Sequence, residues 1–511
     1  MPTVRLFFAY TLVLVASLVL GGGTRAGFLS DVAIQLLAIP LLLIALLRLA
    51  RLPSLHSARG ALWLCFAVVL VPAAQLVPLP PEAWTSLPNR EAAAEAFRLL
   101  GRDLPWMPMS LSPRATWLSA LSLLPPVAIF LATLVLGDRE RRAASLVLVM
   151  VGVVSVFLGL AQVSDGPASS LRFFAITNTG EAVGFFANRN HFAAALYACT
   201  VFAAAWAVEA AAPPAPGQAK LDTRWVLAVV AAFTVLVILV AGQAIARSRA
   251  GLGLTIVALL GAVALAFRDR RNTSGVTPTR LLFAATALAM MFAAQFMLYR
   301  VLERFAEDPL NDARITLAGT TVEAAQLYMP FGSGMGTFVP VYAMQQRPED
   351  AVVDAYANRA HNDFLELWLE TGVPGIVLMA LFSLWLVRSA LRLWRGGEAT
   401  PGRAADLTLA RAGTLVIALI AAHSFVDYPL RTGAMMAILA FACGLLVAPL
   451  AGPRAAFHKT AAREEQAKRG AAQPPRGPPR PPPAPRPADE PISQHQVERW
   501  GNDIEWPEEW R

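Results

Sequence analysis

The chain has 511 residues, of which 56% are hydrophobic and 15% charged, and its mean hydropathy is +0.51. That balance excludes an ordinary soluble enzyme, which carries more charge at this length. The net charge of +8 needs no nucleic acid to explain it, because a basic surface meeting anionic lipid headgroups accounts for it.

Apolar runs of about 18 to 22 residues are long enough for a helix to cross roughly 30 Å of hydrocarbon. They predict spans at 5–22, 32–49, 60–77, 115–136, 144–163, 191–210, 225–244, 250–267, 281–299, 373–391, 412–428 and 432–450. The expected fold is therefore an all-α integral membrane protein of about 12 transmembrane helices, with both termini on one side. The first run is followed at once by a second, across Gly21 to Gly23, and reads as a retained helix rather than a signal peptide. Pro40, Pro72, Pro125 and Pro126 predict kinks, since neighbours in lipid can re-satisfy the freed carbonyls. Cys65, Cys199 and Cys443 fall within spans and far apart in sequence, which argues against a disulfide or a metal site.

Orientation follows from the short loops, because cytoplasmic loops retain arginine and lysine. With Met1 inside, the inner loops carry Arg48, Arg51 and Arg59, then Arg139, Arg141 and Arg142, then Lys220 and Arg224. Arg268, Arg270, Arg271 and Arg280 follow, and then Arg388, Arg392, Arg395, Arg403 and Arg411. The opposite short loops hold fewer, namely Arg25, Arg172, Arg189, Arg247, Arg249 and Arg431. Both termini are expected in the cytoplasm. Residues 1–451 form the membrane domain in this reading, with an external excursion at about 78–114 and one large periplasmic loop at about 300–372, between the ninth and tenth spans. Residues 452–511 read as a disordered, proline- and arginine-rich cytoplasmic tail.

Polar residues cluster on the external side. Asn188, Arg189, Asn190 and His191 open the sixth span, where asparagine also serves as a helix cap. Arg247, Ser248 and Arg249 fill a short turn between two apolar spans, against the inside bias. A guanidinium there can donate bidentate hydrogen bonds to a diphosphate, or it can snorkel to headgroups. The third cluster runs from His361 through Asn362 and Asp363 to Glu370 and Gly372. On a continuous helix at 100° per residue, His361 would share an apolar face with Leu365 and Trp368, and Asp363, Glu366 and Glu370 would share the opposite one. A histidine so placed could stay neutral and accept a proton. The carboxylates could equally form a solvated face.

In this order and spacing the clusters resemble the O-antigen ligase and polymerase superfamily of bacterial glycan transferases. The matching strings are Phe186-Ala-Asn-Arg-Asn-His-Phe192, Ala246-Arg-Ser-Arg-Ala-Gly251 and above all AHNDFLELWLETGVPG from Ala360 to Gly375. Arg314, ahead of the glycine-rich Pro330-Phe-Gly-Ser-Gly-Met-Gly336, looks like the family's further arginine. The string His423-Ser-Phe-Val-Asp-Tyr-Pro-Leu430 is similar to a late motif of exopolysaccharide members. The resemblance spans roughly residues 60–450.

It implies transfer of a glycan from a polyprenyl (undecaprenyl) diphosphate carrier to an acceptor hydroxyl at the periplasmic face of the inner membrane, in O-antigen or exopolysaccharide assembly. In that reaction His361 would act as general base. Arg249 and Arg314 would stabilise the departing diphosphate, with Arg247 as a helper. Asn188, Asn190, His191, Asn362 and Glu370 would support the site, without a direct relay from Glu370 to His361. No cofactor and no metal are implied. The partners are the lipid-linked donor, a glycan or lipid A core acceptor, and membrane lipids. The acceptor stays open among another repeat unit, lipid A core and a protein hydroxyl, with a tilt to exopolysaccharide polymerases. A transporter or flippase of lipid-linked sugars is the alternative, although transporters place ionisable groups near the midplane and these spans hold almost none.

Overall fold

The computed structural model describes residues 2–25, 27–210, 223–268, 309–348, 357–395 and 404–450. Its main helices are α1 (Pro2–Leu20), α2 (Leu29–Ala50), α3 (Arg59–Gln75), then the short α4 (Pro81–Trp84) and α5 (Glu91–Leu99). They continue with α6 (Pro113–Ser122), α7 (Leu124–Val135), α8 (Asp138–Ser164), α9 (Arg189–Ala210), α10 (Thr223–Ala246) and α11 (Arg249–Arg268). The last five are α12 (Pro309–Leu327), α13 (Phe338–Gln345), α14 (Asp363–Arg395), α15 (Ala404–His423) and α16 (Gly433–Leu445). Among the described residues, nine helical segments are long and apolar enough to cross a membrane, and α1 and α16 contribute two shorter apolar helices. The span expected at 281–299 and the tail at 452–511 lie outside the described residues.

The hydropathy reading misses several helix ends, each for a polar reason. α8 begins at Asp138, because its polar first turn is helical and points its arginines into other helices. α14 begins at Asp363, ten residues before the apolar run. The span expected at 412–428 ends at His423, and a turn and a short 3-10 segment (Pro429–Arg431) follow. The excursion at 78–114 is more regular than its prolines suggest. It closes on itself where β1 (Pro78–Leu79) pairs antiparallel with β2 (Met107–Pro108). The described part of the 300–372 loop is also ordered. There α12 packs on α13 and α14 around Leu317, Tyr328, Phe338 and Tyr342.

α9 is the hub. It packs against α8, α10, α11, α15 and α16, and almost its whole length is buried. Its alanines permit this, because small side chains let helices approach where lipid provides no hydrophobic drive. A Cβ on Gly251 of α11 would stand 2.4 Å from Cβ of Ala193. By contrast α2, α3, α10 and α14 expose rows of large apolar side chains, among them Leu36, Leu43, Trp63, Phe66, Val237, Val377, Leu381 and Leu384. Such a girdle suits lipid and not water.

Four helices begin at one end of the bundle, each with a side-chain cap. Asn188 Oδ1 accepts from the Asn190 N–H (2.8 Å) and Ser248 Oγ from the Gly251 N–H (3.1 Å). Asn362 Oδ1 accepts from the N–H groups of Phe364 and Leu365 (3.0 and 3.1 Å), and Thr432 Oγ1 from that of Met435 (3.3 Å). These caps fix where α9, α11, α14 and α16 start. At the other end Arg141 ties α7 to the end of α16 through the carbonyls of Thr133 (2.9 Å) and Val447 (2.7 Å). Beside it, Arg142 bridges Asp406 (2.7 Å) and Glu209 (3.0 Å).

Candidate active site

At the capped end, a cleft of about 230 Å³ is lined by Asn178, Asn188, Arg189, Asn190, Arg314, Leu317 and His361. Residues from three distant stretches of the chain thus meet in one place. Arg314 reaches it from α12, and the asparagines come from the approach to α9. That approach is held by Arg172, whose guanidinium donates to the carbonyls of Asn178 (2.6 Å), Thr179 (2.7 Å) and Glu181 (3.0 Å). Arg189 is paired with Glu181, and Asn178 Oδ1 accepts from its N–H (2.9 Å).

His361 does not lie on the helix assumed for it. α14 starts two residues later, at the Asn362 cap, and His361 adopts a left-handed conformation with φ 51°. The arithmetic that paired it with Leu365 and Trp368 therefore fails. Its side chain is half-buried. Nδ1 lies 3.3 Å from Asp427 Oδ1, a close contact short of an aligned hydrogen bond. Arg247, between α10 and α11, is left-handed as well (φ 51°). Non-glycine residues held in this region are strained by about 1–3 kcal/mol and cluster at functional sites.

Asp427 is the residue that the sequence reading left without a role. It is fully buried and receives the Asn190 amide, whose oxygen in turn accepts from Ser248 Oγ (2.8 Å), and the N–H of Tyr428 (3.0 Å). Burial opposes its charge. The contact with His361, together with the fields of His191, His361 and His423, outweighs that and holds the carboxyl well below the usual carboxylate range. Tyr428 is pushed up to about 12, by burial first and then by the Asp427 charge. It is a neutral phenol at any working pH. Its ring takes His361 and His191 edge-on, each 4.8 Å away between centroids.

A second polar cluster sits behind the first. Asp363, Glu366 and Glu370 do share one face of α14, yet they are buried rather than solvated. They converge on Arg431, at 3.4, 3.4 and 2.8 Å respectively. Arg359 adds a second guanidinium to Glu366 (2.9 Å). Burial disfavours the charge on Arg431, and the three carboxylates more than restore it, raising its pKa above the ordinary arginine value. Glu370 Oε1 also accepts from the Gly336 N–H (2.9 Å), and its carbonyl accepts from Gln75 Nε2 (2.8 Å) and from the Gly334 N–H (2.9 Å). The glycine-rich segment is thereby clipped to α14 at Gly372 (φ 59°), where an added Cβ would stand 2.2 Å from the Pro330 carbonyl oxygen.

Of the residues expected at the site, His361, Arg314, Asn188 and Asn190 line the cleft. His191 is buried beneath it. Asn362 caps α14 and donates to the carbonyl of Phe425 (3.0 Å), and Glu370 belongs to the Arg431 cluster. Arg247 and Arg249 are exposed on either side of Ser248 and do not line the cleft. Sequence reasoning missed Arg189, Asn178 and Asp427 as partners. Asp427 had a signal in its place in the His423 to Leu430 string and Arg189 in the Phe186 to Phe192 string, while Asn178 had none. Among the described residues, no group of three histidines, cysteines or acids is placed to hold a metal ion.

Residues 222–380 match the family model described as O-antigen ligase. That stretch, under a third of the chain, is similar to an O-antigen ligase domain. A search of curated proteins found no match. The O-antigen ligase match takes in Arg249, Arg314, His361 and Glu370, whereas the asparagines of the cleft, Asp427 and Arg431 lie outside it. It supports a glycan-processing role of the ligase or polymerase type, in a multi-pass membrane protein, with a lipid-linked glycan donor and a glycan acceptor as the substrates that the family implies.

Proposed function

We propose that the protein is a glycosyltransferase of the O-antigen ligase type, which moves a glycan from a polyprenyl diphosphate to an acceptor hydroxyl at the periplasmic face of a bacterial inner membrane. The observation that carries this reading is the meeting of His361 and Arg314 in one cleft, with a buried, ionised Asp427 behind the imidazole. In the reaction His361 Nδ1 faces Asp427, and Nε2 takes the proton of the acceptor hydroxyl. The acceptor oxygen bonds to the anomeric carbon, and the bond to the carrier breaks with its electron pair going to the diphosphate. Negative charge grows there, so Arg314, with Arg249 at the first residue of α11, stabilises the transition state more than the bound donor. The capped starts of α9, α11 and α14 add their positive ends to the same field. Asn178, Asn188 and Asn190 offer neutral donors and acceptors suited to sugar hydroxyls. Asp427 holds the imidazole in one tautomer, as a carboxylate partner does for a catalytic histidine.

The test is transfer by purified protein in nanodiscs, supplied with a polyprenyl-diphosphate glycan and either a second lipid-linked repeat or lipid A core. A new glycosidic bond in wild type, and none in His361→Ala, is the expected result. Movement of the donor between leaflets without a new bond would assign the protein to lipid-linked sugar transport instead.

A further inference from the structure

Behind the pair of Asp427 and His361 lie two imidazoles that the proposed reaction does not use. His191, in the first turn of α9, is fully buried, and neither of its ring nitrogens finds a hydrogen-bond partner among the described residues. His423, the last residue of α15, is also fully buried. Its Nδ1 meets the Tyr197 hydroxyl at 3.2 Å, and its Nε2 has no partner among the described residues. A neutral imidazole carries one donor and one acceptor, and buried polar atoms in folded proteins are nearly always satisfied by protein or by ordered water. If His191 only filled space against Tyr428, an apolar ring would serve as well.

Asp427 provides the complementary half. A carboxylate has about four acceptor positions, and those of Asp427 are engaged by Asn190, the Tyr428 N–H and His361, which leaves one. The titratable and charged groups around it are His191 and Tyr197 from α9, His361 and Arg359 ahead of α14, and His423 and Tyr428 from its own stretch of chain. Arg314, on α12, acts on His423.

We propose that ordered water is bound between His191, His423 and Asp427, and that these two histidines are positioning residues which hold Asp427 and His361 in register through that water. The polar atoms are numerous enough to fix such a water, which needs two to four partners. A bridged contact of this kind is nearly as favourable as a direct one. The result is a carboxylate supported from both sides, by His361 toward the cleft and by water toward the bundle.

The proposal rests on the glycan-transfer reading, so His361→Ala is assayed beside it. Transfer by that variant would sink the reading itself, and the outcomes below bear on the water alone. In the reconstituted full-length protein, His191→Phe keeps a ring and removes both nitrogens. Its kcat is expected to fall roughly tenfold or more, since small misplacements near reacting atoms are costly, with the donor KM unchanged. The acid limb of kcat/KM should move to higher pH, because an Asp427 stripped of that water is less screened and holds the His361 proton more strongly. His191→Gln, which restores a donor and an acceptor, should recover most of the rate. A folded Phe variant with full rate and an unmoved limb overturns the proposal, as do equal losses in both variants with an unmoved limb. A cryo-EM map of the wild type that resolves water gives a reading independent of either variant's folding. Density within hydrogen-bond reach of both His191 and Asp427 supports the proposal, and side chains closed against each other there overturn it.

Discussion

The two polar clusters at the capped end each set buried acid against basic side chains, and they behave in opposite ways. Around Arg431 every carboxylate is paired: Asp363 also accepts from Ser424 Oγ (2.9 Å) and the Leu430 N–H (3.1 Å), and Glu366 from the Ala360 N–H (2.9 Å). Around Asp427 the carboxylate meets an imidazole that is half-buried, left-handed and in loose contact, and further buried nitrogens have no partner among the described residues. A saturated network fixes geometry, and an unsaturated one keeps free lone pairs and protons with which to work. The first cluster clips the glycine-rich segment and the Pro429–Arg431 turn to α14, and the second faces the cleft.

Substitutions break or sharpen this contrast, beginning with the largest effect. His361→Ala should lower transfer by about 100-fold to 10,000-fold, the usual worth of a positioned general base, with unchanged membrane abundance. Normal transfer would remove the imidazole from the chemistry. Arg431→Met should act on the fold instead, costing about 3–5 kcal/mol because it strands the buried Asp363 and Glu370 and leaves Glu366 with Arg359 alone. Thermal unfolding in detergent reads this out, and a variant as stable as wild type would show that the cluster is not a scaffold.

Asp427→Asn should leave the fold in place and reduce kcat by about 100-fold or more, through loss of the charge that orients His361. The wild-type pH profile sharpens the point. Because the Asp427 carboxyl titrates below the usual carboxylate range, it stays ionised at any pH above that range, so an acid limb between about pH 5 and 8 belongs to a histidine and not to Asp427. A limb that survives unmoved in Asp427→Asn would contradict the coupling.

Arg314→Lys and Arg249→Lys should each lose at least about tenfold in transfer, since an ammonium lacks the bidentate fork, and the double variant should lose less than the product of the two. Full activity in Arg249→Lys would confine the diphosphate role to Arg314. The smallest effect is expected at the opposite end, where the side chains of Arg142, Glu209 and Asp406 are each 20–30% exposed. Arg142→Ala should cost about 1 kcal/mol or less, the usual range for accessible ion pairs. A loss as large as that of Arg431→Met would erase the distinction between the two ends.

The helices were legible from apolar length because a lipid-facing helix has no other way to satisfy its backbone. Their polar extensions were not, since Asp363, Glu366 and Glu370 read as a solvated face until Arg431 is brought beside them from some sixty residues on. His361 was legible as a residue and misplaced as geometry. Asn362 directly after it is a helix-start signal of the kind recognised at Asn188, and it ends the helical arithmetic before His361. Arg314 was legible only through its resemblance, because no local pattern ties α12 to α9. Asp427 stood within a noted string, but a lone aspartate two residues before a proline states no partner. That partner lies 66 residues upstream and is set by how α15 turns back against α14.

The burial of α9 on all sides has a consequence for how the protein is made. Its alanine-rich sequence is less apolar than α8 before it or α10 after it, so it contributes little to its own partition into a bilayer and much to contacts that exist only once its neighbours are present. α9, with Asn190 and His191 in its first turn, is therefore held more by its neighbours than by lipid. The cleft is complete only once α11 and α15 have packed against α9.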